Sequence, residues 1–218
     1  MMAVAIDPDL VEWSDPGRLD GRPLLVLLHG YGQDEHGLAG IAEAVAPGIV
    51  TAALRGPRPS RAPLAGGYGW YDVDERIRPL AGQEAETTGA LLDWLDAVVA
   101  ERGAPSRLAV AGFSQGAALT LHLLRTAPER WDAVVTLGGY WLPTAAPADD
   151  RLAELRPAVF WGRTEGDPAI APAYIEATRA ALAPIAPDAE HVYPGDVHAV
   201  VPDELVDLTA FLKARLEA

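Results

Sequence analysis

The sequence predicts an α/β fold with a mostly parallel central sheet and helices on both faces. Two observations lead to this prediction. Short apolar runs bounded by Gly or Pro are typical of strands that are buried on both faces. These runs alternate with segments in which apolar residues recur at helical spacing. A chain of 218 residues without a shift in composition is long enough for one large core, so we expect a single domain over residues 1–218.

Six apolar runs are the predicted strands, because each is short and is followed by a turn signal. They cover residues 24–28, 49–54, 108–111, 133–137, 158–161 and, less apolar than the others, 191–193. Helices are predicted over residues 84–102, 117–126, 171–183 and 203–216. The first of them is the clearest, since Leu91, Leu95 and Val98 lie on one stripe. Two long connections, 55–82 and 138–150, leave strand ends and are expected to border the ligand crevice of such a sheet.

Charge and cysteine content narrow the function. The chain has 17 Lys and Arg against 31 Asp and Glu, a net charge of −14, which disfavours binding to nucleic acid and to anionic lipid surfaces. The absence of cysteine excludes disulfides, thiolate metal sites and a cysteine nucleophile. The first residues lack the basic and apolar pattern of a signal peptide, so we expect a cytoplasmic protein with no stable membrane insertion.

The pentapeptide at residues 112–116, Gly-Phe-Ser-Gln-Gly, follows the predicted strand 108–111 and precedes a predicted helix. A serine between two glycines in this context is typical of a nucleophile elbow, the sharp turn that projects a reactive hydroxyl from a sheet edge. The amides at the start of the following helix point to the same place, where they can stabilise an anion. We therefore predict Ser114 as a catalytic nucleophile.

A serine nucleophile needs a histidine base and an acid that orients it. Of five histidines, only His198 lies in a loop after the final strand, in the chain order of serine, acid and histidine that this class of sheet uses. The alternative is a surface-loop histidine. The loop after the strand 158–161 offers two acids, Asp167 and Glu165. We prefer Asp167, since the following Pro168 favours an extended conformation at the loop exit.

An oxyanion intermediate requires two amide donors. The amide after the nucleophile, that of Gln115, is one of them. The other is predicted from the loop after the first strand, His29-Gly30-Tyr31-Gly32, whose glycines allow the Tyr31 amide to face the pocket. A simple strand-to-helix turn would explain this tetrapeptide equally well. His29 is predicted to be a hydrogen-bonded structural residue rather than the base.

Four aromatic residues in the two long connections are candidate substrate contacts: Trp70, Tyr71, Tyr140 and Trp141. Aromatic side chains in crevice loops supply apolar contact area for a ligand. The alternative role is to pin these loops onto the core. The sequence favours neither role over the other.

The motifs together resemble the phospholipase/carboxylesterase family, which includes bacterial type II carboxylesterases and acyl-protein thioesterases. The resemblance runs from about residue 24 to the end of the chain, and its most specific part is the pentapeptide at 112–116. It implies an α/β-hydrolase fold without a large lid domain, a triad of Ser114, Asp167 and His198, the Tyr31 and Gln115 amides as oxyanion hole, and no metal or cofactor. The chain differs from the family in having Val197, where glycine is usual, before the histidine.

These observations predict a serine carboxylesterase that acts through an acyl-enzyme on small-molecule esters or thioesters with short to medium acyl chains. A thioesterase, a lysophospholipase, a peptidase or a lactonase would use the same fold and triad. A noncatalytic ligand-binding protein is the alternative from another class, and the presence of all three triad residue types disfavours it. The exposed aromatics are compatible with a homodimer, although scattered apolar surface is also common on monomers.

Overall fold

A seven-stranded sheet organises the chain. The computed structural model describes residues 4–45, 48–61, 64–74, 79–80 and 82–217. The strands are β1 (Glu12–Trp13), β2 (Leu24–Leu28), β3 (Val50–Leu54), β4 (Arg58–Pro59), β5 (Tyr68–Gly69), β6 (Leu108–Phe113), β7 (Ala133–Leu137), β8 (Val159–Thr164) and β9 (Glu190–Tyr193). The sheet has the order β1-β3-β2-β6-β7-β8-β9, in which β1 is antiparallel to β3 and every other pair is parallel. The predicted mostly parallel α/β sheet is confirmed.

Helices cover both faces of this sheet. They are α1 (Ala39–Val45), α2 (Gln83–Arg102), α3 (Gln115–Thr126), α4 (Leu152–Leu155), α5 (Pro172–Leu182) and α6 (Pro202–Leu216), with short 3₁₀ turns at Pro8–Leu10, Pro128–Arg130 and Asp149–Arg151. The four predicted helices correspond to α2, α3, α5 and α6. Within the described ranges, no helix is long and apolar enough to span a bilayer.

The leucine run of β2 explains why the sheet needs helices on both faces. Leu24 and Leu28 belong to the core cluster that contains residues of α2 and α3, whereas Leu25 and Leu27 belong to the cluster that contains residues of α1 and α6. All four side chains are almost fully inaccessible to solvent. Full burial of one leucine contributes about 1.5–3 kcal/mol, so this strand stabilises both layers at once.

The order of the strands creates a crevice between β2 and β6. From β2 the chain crosses to β3 on one side, and later strands from β6 onward add to the other side. In open α/β sheets, ligands bind outside the carboxyl ends of strands at such a switch point. The loops that follow β2, β6, β7, β8 and β9 all leave from this edge, and they carry the predicted functional residues.

A small hairpin of β4 and β5 lies within the first long connection, where the sequence analysis assigned no strand. Its register pairs Arg58 with Gly69 and Pro59 with Tyr68. The hairpin is tied to the loop after β2, because the Gly32 amide donates to the Tyr68 carbonyl and the Tyr68 amide donates to the Gln33 carbonyl, each over 2.8 Å. This connection therefore has a defined position beside the crevice.

Candidate active site

Ser114 lies at the turn between β6 and α3 in a strained backbone conformation. Its φ of 54° and ψ of −114° are uncommon for a residue with a side chain. Two backbone hydrogen bonds hold the turn: the Ser114 amide donates to the Leu137 carbonyl over 2.8 Å, and the Ala118 amide donates to the Ser114 carbonyl over 3.0 Å. The neighbouring strand and the first turn of α3 thus fix the serine at the carboxyl end of the sheet.

The two glycines that flank the serine allow a close approach between strand and helix. A Cβ atom on Gly112 would lie 2.5 Å from the Gly116 backbone. A Cβ atom on Gly116 would lie 2.2 Å from the Leu28 carbonyl oxygen of β2. Contacts this short are not tolerated with backbone atoms, so both positions require glycine. The spacing of the pentapeptide therefore follows from packing around the elbow.

His198 and Asp167 are brought together at the ends of β8 and β9. The His198 Nδ1 atom lies 2.7 Å from Asp167 Oδ2, and the Asp167 side chain is only 3% exposed. The other carboxylate oxygen, Oδ1, accepts from the amides of Ala169 at 2.8 Å and Ile170 at 3.4 Å. Burial opposes ionisation, but the hydrogen bonds from His198 and from these amides outweigh it, so the pKa of Asp167 is lowered.

This arrangement sets the tautomer of neutral His198. An ionised carboxylate only accepts hydrogen bonds, so Nδ1 donates to Asp167 and Nε2 carries the lone pair. The Nε2 atom is buried and has no hydrogen-bond partner among the described residues. His198 and Ser114 line the same cavity, and the His198 ring packs against Phe113 with centroids 4.7 Å apart. Within the described residues no hydrogen bond links Ser114 Oγ to Nε2, which leaves this lone pair available to accept a proton.

The loop before His198 accommodates the valine that replaces the usual glycine. The Val197 side chain is 48% exposed, so it points away from the packed loop. Its carbonyl accepts a 2.6 Å hydrogen bond from Thr164 Oγ1 at the end of β8. A Cβ atom on Gly166 would lie 2.0 Å from Asp196 Oδ1, so a larger residue there would require the exposed Asp196 side chain to move. The neighbouring Glu165 is exposed, and it is Asp167 that forms the ion pair with His198.

Two backbone amides belong to residues that line the same cavity. Gln115 is the first residue of α3, and Tyr31 follows β2; both line the cavity with Ser114. In the described part of the chain, neither amide donates a hydrogen bond to another protein group. Unpaired amides beside a cavity are the arrangement that binds a developing oxyanion.

The cavity that contains Ser114 has a volume of about 510 Å³ and a mostly apolar wall. Its lining residues are Gly30, Tyr31, Gln33, Leu64, Val73, Phe113, Ser114, Gln115, Tyr140, Pro168, Ala169, Ile170, Ala171, Tyr174 and His198. Among the described residues, no Asp, Glu, Lys or Arg contributes to this wall. Burial raises the pKa of Tyr140 to about 12, so its hydroxyl is protonated at neutral pH. The site is suited to an uncharged, apolar group.

Only one of the four predicted aromatic contacts lines this cavity, namely Tyr140, whose ring lies 4.6 Å from that of Tyr174. Trp70 and Tyr71 are completely buried in the core. Trp141 packs against Arg125, whose Cζ atom lies 4.2 Å from the centroid of the Trp141 ring. For these three residues the structure therefore corrects the predicted substrate contact. Their side chains anchor loops to the core, which was the alternative role.

Apolar contacts that the sequence analysis missed complete the wall. They are Leu64, Val73, Phe113, Ile170 and Tyr174. Two of them had a usable signal, since Phe113 directly precedes the predicted nucleophile and Ile170 follows the predicted acid by three residues. The others come from segments without a motif.

The four other histidines have different environments. His29 bonds the Gly56 amide and the Gly30 carbonyl. His122 lies within α3 and bonds Thr88 Oγ1 over 3.0 Å, while the His191 ring stacks on Phe160 at 4.2 Å. His36 is exposed. Of the five, His198 is the one placed in the cavity with Ser114.

The parallel sheet, the strained serine turn after a central strand and the acid–histidine pair at neighbouring strand ends define an α/β-hydrolase. The chain belongs to the phospholipase/carboxylesterase family, whose model matches residues 16–216. The predicted family is thereby confirmed. Membership indicates an esterase-type hydrolase.

Solved structures and a curated relative agree with this family. Esterase PE8 is 25% identical, with a TM-score of 0.75 over 94% of this chain and 100% of that chain. A carboxylesterase from Mesorhizobium loti, 20% identical with a TM-score of 0.76 over 96% of this chain and 98% of that chain, shares the fold. Acyl-protein thioesterase 1 of Saccharomyces cerevisiae is 29% identical over 119 residues. That match spans about half of each protein, 52% of this chain and 52% of the yeast protein.

Proposed function

We propose that the protein is a serine carboxylesterase that hydrolyses carboxylic esters through an acyl-enzyme. The observation that carries this proposal is the buried lone pair of His198 Nε2, oriented by the 2.7 Å bond to Asp167, in the same cavity as Ser114. A histidine held in this tautomer can accept a proton from a serine hydroxyl. The unpaired Tyr31 and Gln115 amides stabilise the negative charge that develops on the carbonyl oxygen of the substrate.

In the first half of the reaction, Ser114 Oγ attacks the ester carbonyl while its proton moves to His198 Nε2. The Asp167 carboxylate stabilises the imidazolium that forms, and the two amides hold the oxyanion. Nε2 then returns its proton to the departing alcohol, which leaves the acyl group on Ser114. In the second half, Nε2 takes a proton from water and the resulting hydroxide attacks the acyl carbonyl. The bond between the acyl carbon and Ser114 Oγ then breaks, Nε2 returns the proton to Oγ, and the carboxylic acid is released.

The cavity wall supports acyl groups that are uncharged and of short to medium length. Each buried methylene contributes about 0.8 kcal/mol to binding, so a longer chain gains affinity until the apolar wall is filled. A charged acyl group would lose its hydration without meeting an opposite charge, since the described lining contains no Asp, Glu, Lys or Arg. Thioesters are the second substrate class in this proposal, because the similar yeast protein is an acyl-protein thioesterase.

Covalent labelling with a fluorophosphonate tests the mechanism. Wild-type protein should be labelled at Ser114, whereas Ser114→Ala should not be labelled and His198→Ala should react far more slowly. His36→Ala is the matched control, since this histidine is exposed and lies outside the cavity, and it should be labelled like the wild type. Labelling that persists in Ser114→Ala would overturn the assignment of the nucleophile.

Substrate class requires a separate comparison. We expect kcat/KM on p-nitrophenyl esters to rise with acyl length and then fall once the chain exceeds the cavity. An acyl thioester and a lysophospholipid with the same acyl chain separate the carboxylesterase, thioesterase and lysophospholipase activities. Equal rates across all chain lengths would contradict a selective acyl cavity. The expected cytoplasmic location is part of the same proposal.

A further inference from the structure

The two amides of the proposed oxyanion hole come from loops that are distant in the sequence. Gln115 begins α3, while Tyr31 lies after β2. Both must lie within hydrogen-bond distance of one oxygen atom, and an amide that is misplaced by a fraction of an ångström stabilises the transition state less. A physical connection between the two loops is therefore needed. Backbone contacts already join the two regions, since β2 pairs with β6 and Gly116 packs against the Leu28 and His29 carbonyls. A further connection, made by side-chain hydrogen bonds, runs through Trp70.

On one side, the Trp70 backbone is clamped by the side chain of Gln115. The Trp70 amide donates to Gln115 Oε1 over 2.8 Å, and Gln115 Nε2 donates to the Tyr71 carbonyl over 2.7 Å. The carboxamide thus pairs with the chain as a neighbouring strand would. A third bond, from Thr87 Oγ1 to the Trp70 carbonyl at 2.6 Å, attaches the same segment to α2. The residue that supplies the first amide donor therefore also fixes Trp70.

On the other side, the Trp70 indole is bonded to the loop after β2. Its Nε1–H donates to the His29 carbonyl over 2.7 Å, and the two rings pack with centroids 5.0 Å apart. His29 in turn accepts from the Gly56 amide at Nε2, over 2.9 Å. Since Nε2 is the acceptor, Nδ1 carries the hydrogen and donates to the Gly30 carbonyl over 2.7 Å. Burial lowers the pKa of His29, which keeps this neutral tautomer.

The bond to Gly30 decides where the second amide points. The Gly30 carbonyl and the Tyr31 N–H belong to the same peptide plane, and in a trans peptide they point in opposite directions. Because the carbonyl is directed at the buried His29 ring, the Tyr31 N–H is directed away from it. Tyr31 also lines the cavity, so an N–H directed away from His29 is free to donate to a group bound there.

We propose that Trp70 is a positioning residue that braces the two amides of the oxyanion hole against each other, through Gln115 on one side and His29 on the other. This inference rests on the proposed function. Trp70 is fully buried and does not line the cavity, so it acts through these neighbours and not by touching substrate. Its function would be to preserve the stabilisation of the transition state.

The test is Trp70→Phe, which removes the indole N–H while it keeps a buried aromatic ring. We expect kcat for a p-nitrophenyl ester to fall by about 10- to 100-fold, while KM changes by less than about twofold. The fall in kcat should not exceed the loss that follows deletion of one oxyanion-hole donor. Inhibition by a boronic acid, whose adduct with Ser114 places an oxygen in the oxyanion hole, should weaken by a similar factor.

Trp131→Phe is the matched control, because Trp131 is also buried but its indole nitrogen has no hydrogen-bond partner among the described residues. It should retain the wild-type kcat. Gln115→Met keeps the backbone amide but removes the hydrogen bonds that hold Trp70, so it should reproduce the loss in kcat. This variant replaces Trp70→Phe in the test if Trp70→Phe does not fold. The double variant should be no worse than the more affected single variant, since both break one chain of contacts.

Two results would overturn the inference. One is an unchanged kcat in a folded Trp70→Phe or Gln115→Met protein, with or without a rise in KM. The other is an equal loss of kcat in the Trp131→Phe control. Failure of the proposed function would look different, because wild-type protein would then neither react with a fluorophosphonate nor hydrolyse esters. The melting temperature of each variant separates a loss of stability from a loss of catalysis.

Discussion

Asp167 and Glu204 are both buried near strand β8, yet their pKa values move in opposite directions. The pKa of Asp167 is lowered, whereas burial raises the pKa of Glu204 to about 7. The Asp167 side chain is 3% exposed, and the whole Glu204 residue is 1% exposed. Burial by itself therefore does not decide whether a carboxyl group is ionised.

The difference lies in their hydrogen-bond partners. Asp167 accepts from His198 and from two amides. Glu204, in the first turn of α6, accepts one 3.3 Å bond from the Val201 amide, while its Oε1 is buried without a partner among the described residues. The negative charge of Asp167 raises the pKa of Glu204 further. Asp167, beside the proposed base, thus has several hydrogen-bond donors, whereas Glu204, at the start of α6, has few.

Removal of the charge on Asp167 should have the largest effect. Asp167→Asn would present an amide to His198 Nδ1 and favour the wrong tautomer, so we expect kcat to fall by about 10³- to 10⁴-fold with little change in KM. Steady-state kinetics on a p-nitrophenyl ester measure this. A loss of less than tenfold would show that His198 does not depend on Asp167. The same variant should lower the pKa of Glu204, because the repelling charge is absent.

Neutralisation of Glu204 should change the pH dependence of stability rather than the reaction. The pKa of Glu204 is higher in the folded than in the unfolded protein. The protonated carboxyl group therefore contributes fully to the free energy of unfolding at a pH below the pKa of the unfolded state. This contribution is lost as the pH rises through about 7, the pKa of the folded state. Over this pH range the free energy of unfolding of the wild type should fall by up to about 3 kcal/mol more than that of Glu204→Gln. Urea unfolding of both proteins at pH 4.5 and pH 8 measures the difference, and parallel curves would contradict it.

Gly162 gives Glu204 its space, which makes this glycine the next position to test. A Cβ atom there would lie 2.1 Å from Glu204 Oε1 and 2.9 Å from Phe160. We expect Gly162→Ala to reduce the free energy of unfolding by about 1–3 kcal/mol, as overpacked core positions do. The cost should be smaller in a Glu204→Ala background, where the clashing carboxylate is absent. An equal cost in both backgrounds would assign the strain to Phe160 instead.

The smallest effect is expected at Thr164, whose hydroxyl holds the Val197 carbonyl in the loop that leads to His198 and Glu204. Thr164→Val keeps the shape of the side chain and removes one hydrogen bond, which should cost about 0.5–1.5 kcal/mol of stability. A looser His198 loop should also reduce kcat/KM by a few-fold. Thr164→Ser, which keeps the hydroxyl, should restore kcat/KM. Failure of the serine variant to do so would point to lost packing of the methyl group.

Much of the fold could be predicted because the signals are local. Continuous apolar runs bounded by turns located all six parallel strands, although β6 extends to Phe113 and β8 to Thr164, beyond the predicted ends. The edge strand β1 and the hairpin of β4 and β5 were missed. Each of these strands has two residues, which is too short for a period to be detected. β1 also depends on pairing with β3, which is distant in the sequence.

The sequence by itself determined the elbow and the order of the reactive residues. Two glycines around Ser114 and a histidine after the final strand are local patterns with a mechanical cause, since close backbone packing admits only glycine at both positions. The tertiary structure alone decided between Asp167 and Glu165 as partner of His198. It also decided which aromatics face the cavity, because a cavity is the space left between loops. The apolar character of a side chain such as that of Trp70 predicts that it avoids water. It does not predict whether the side chain is buried in the core or lines the cavity.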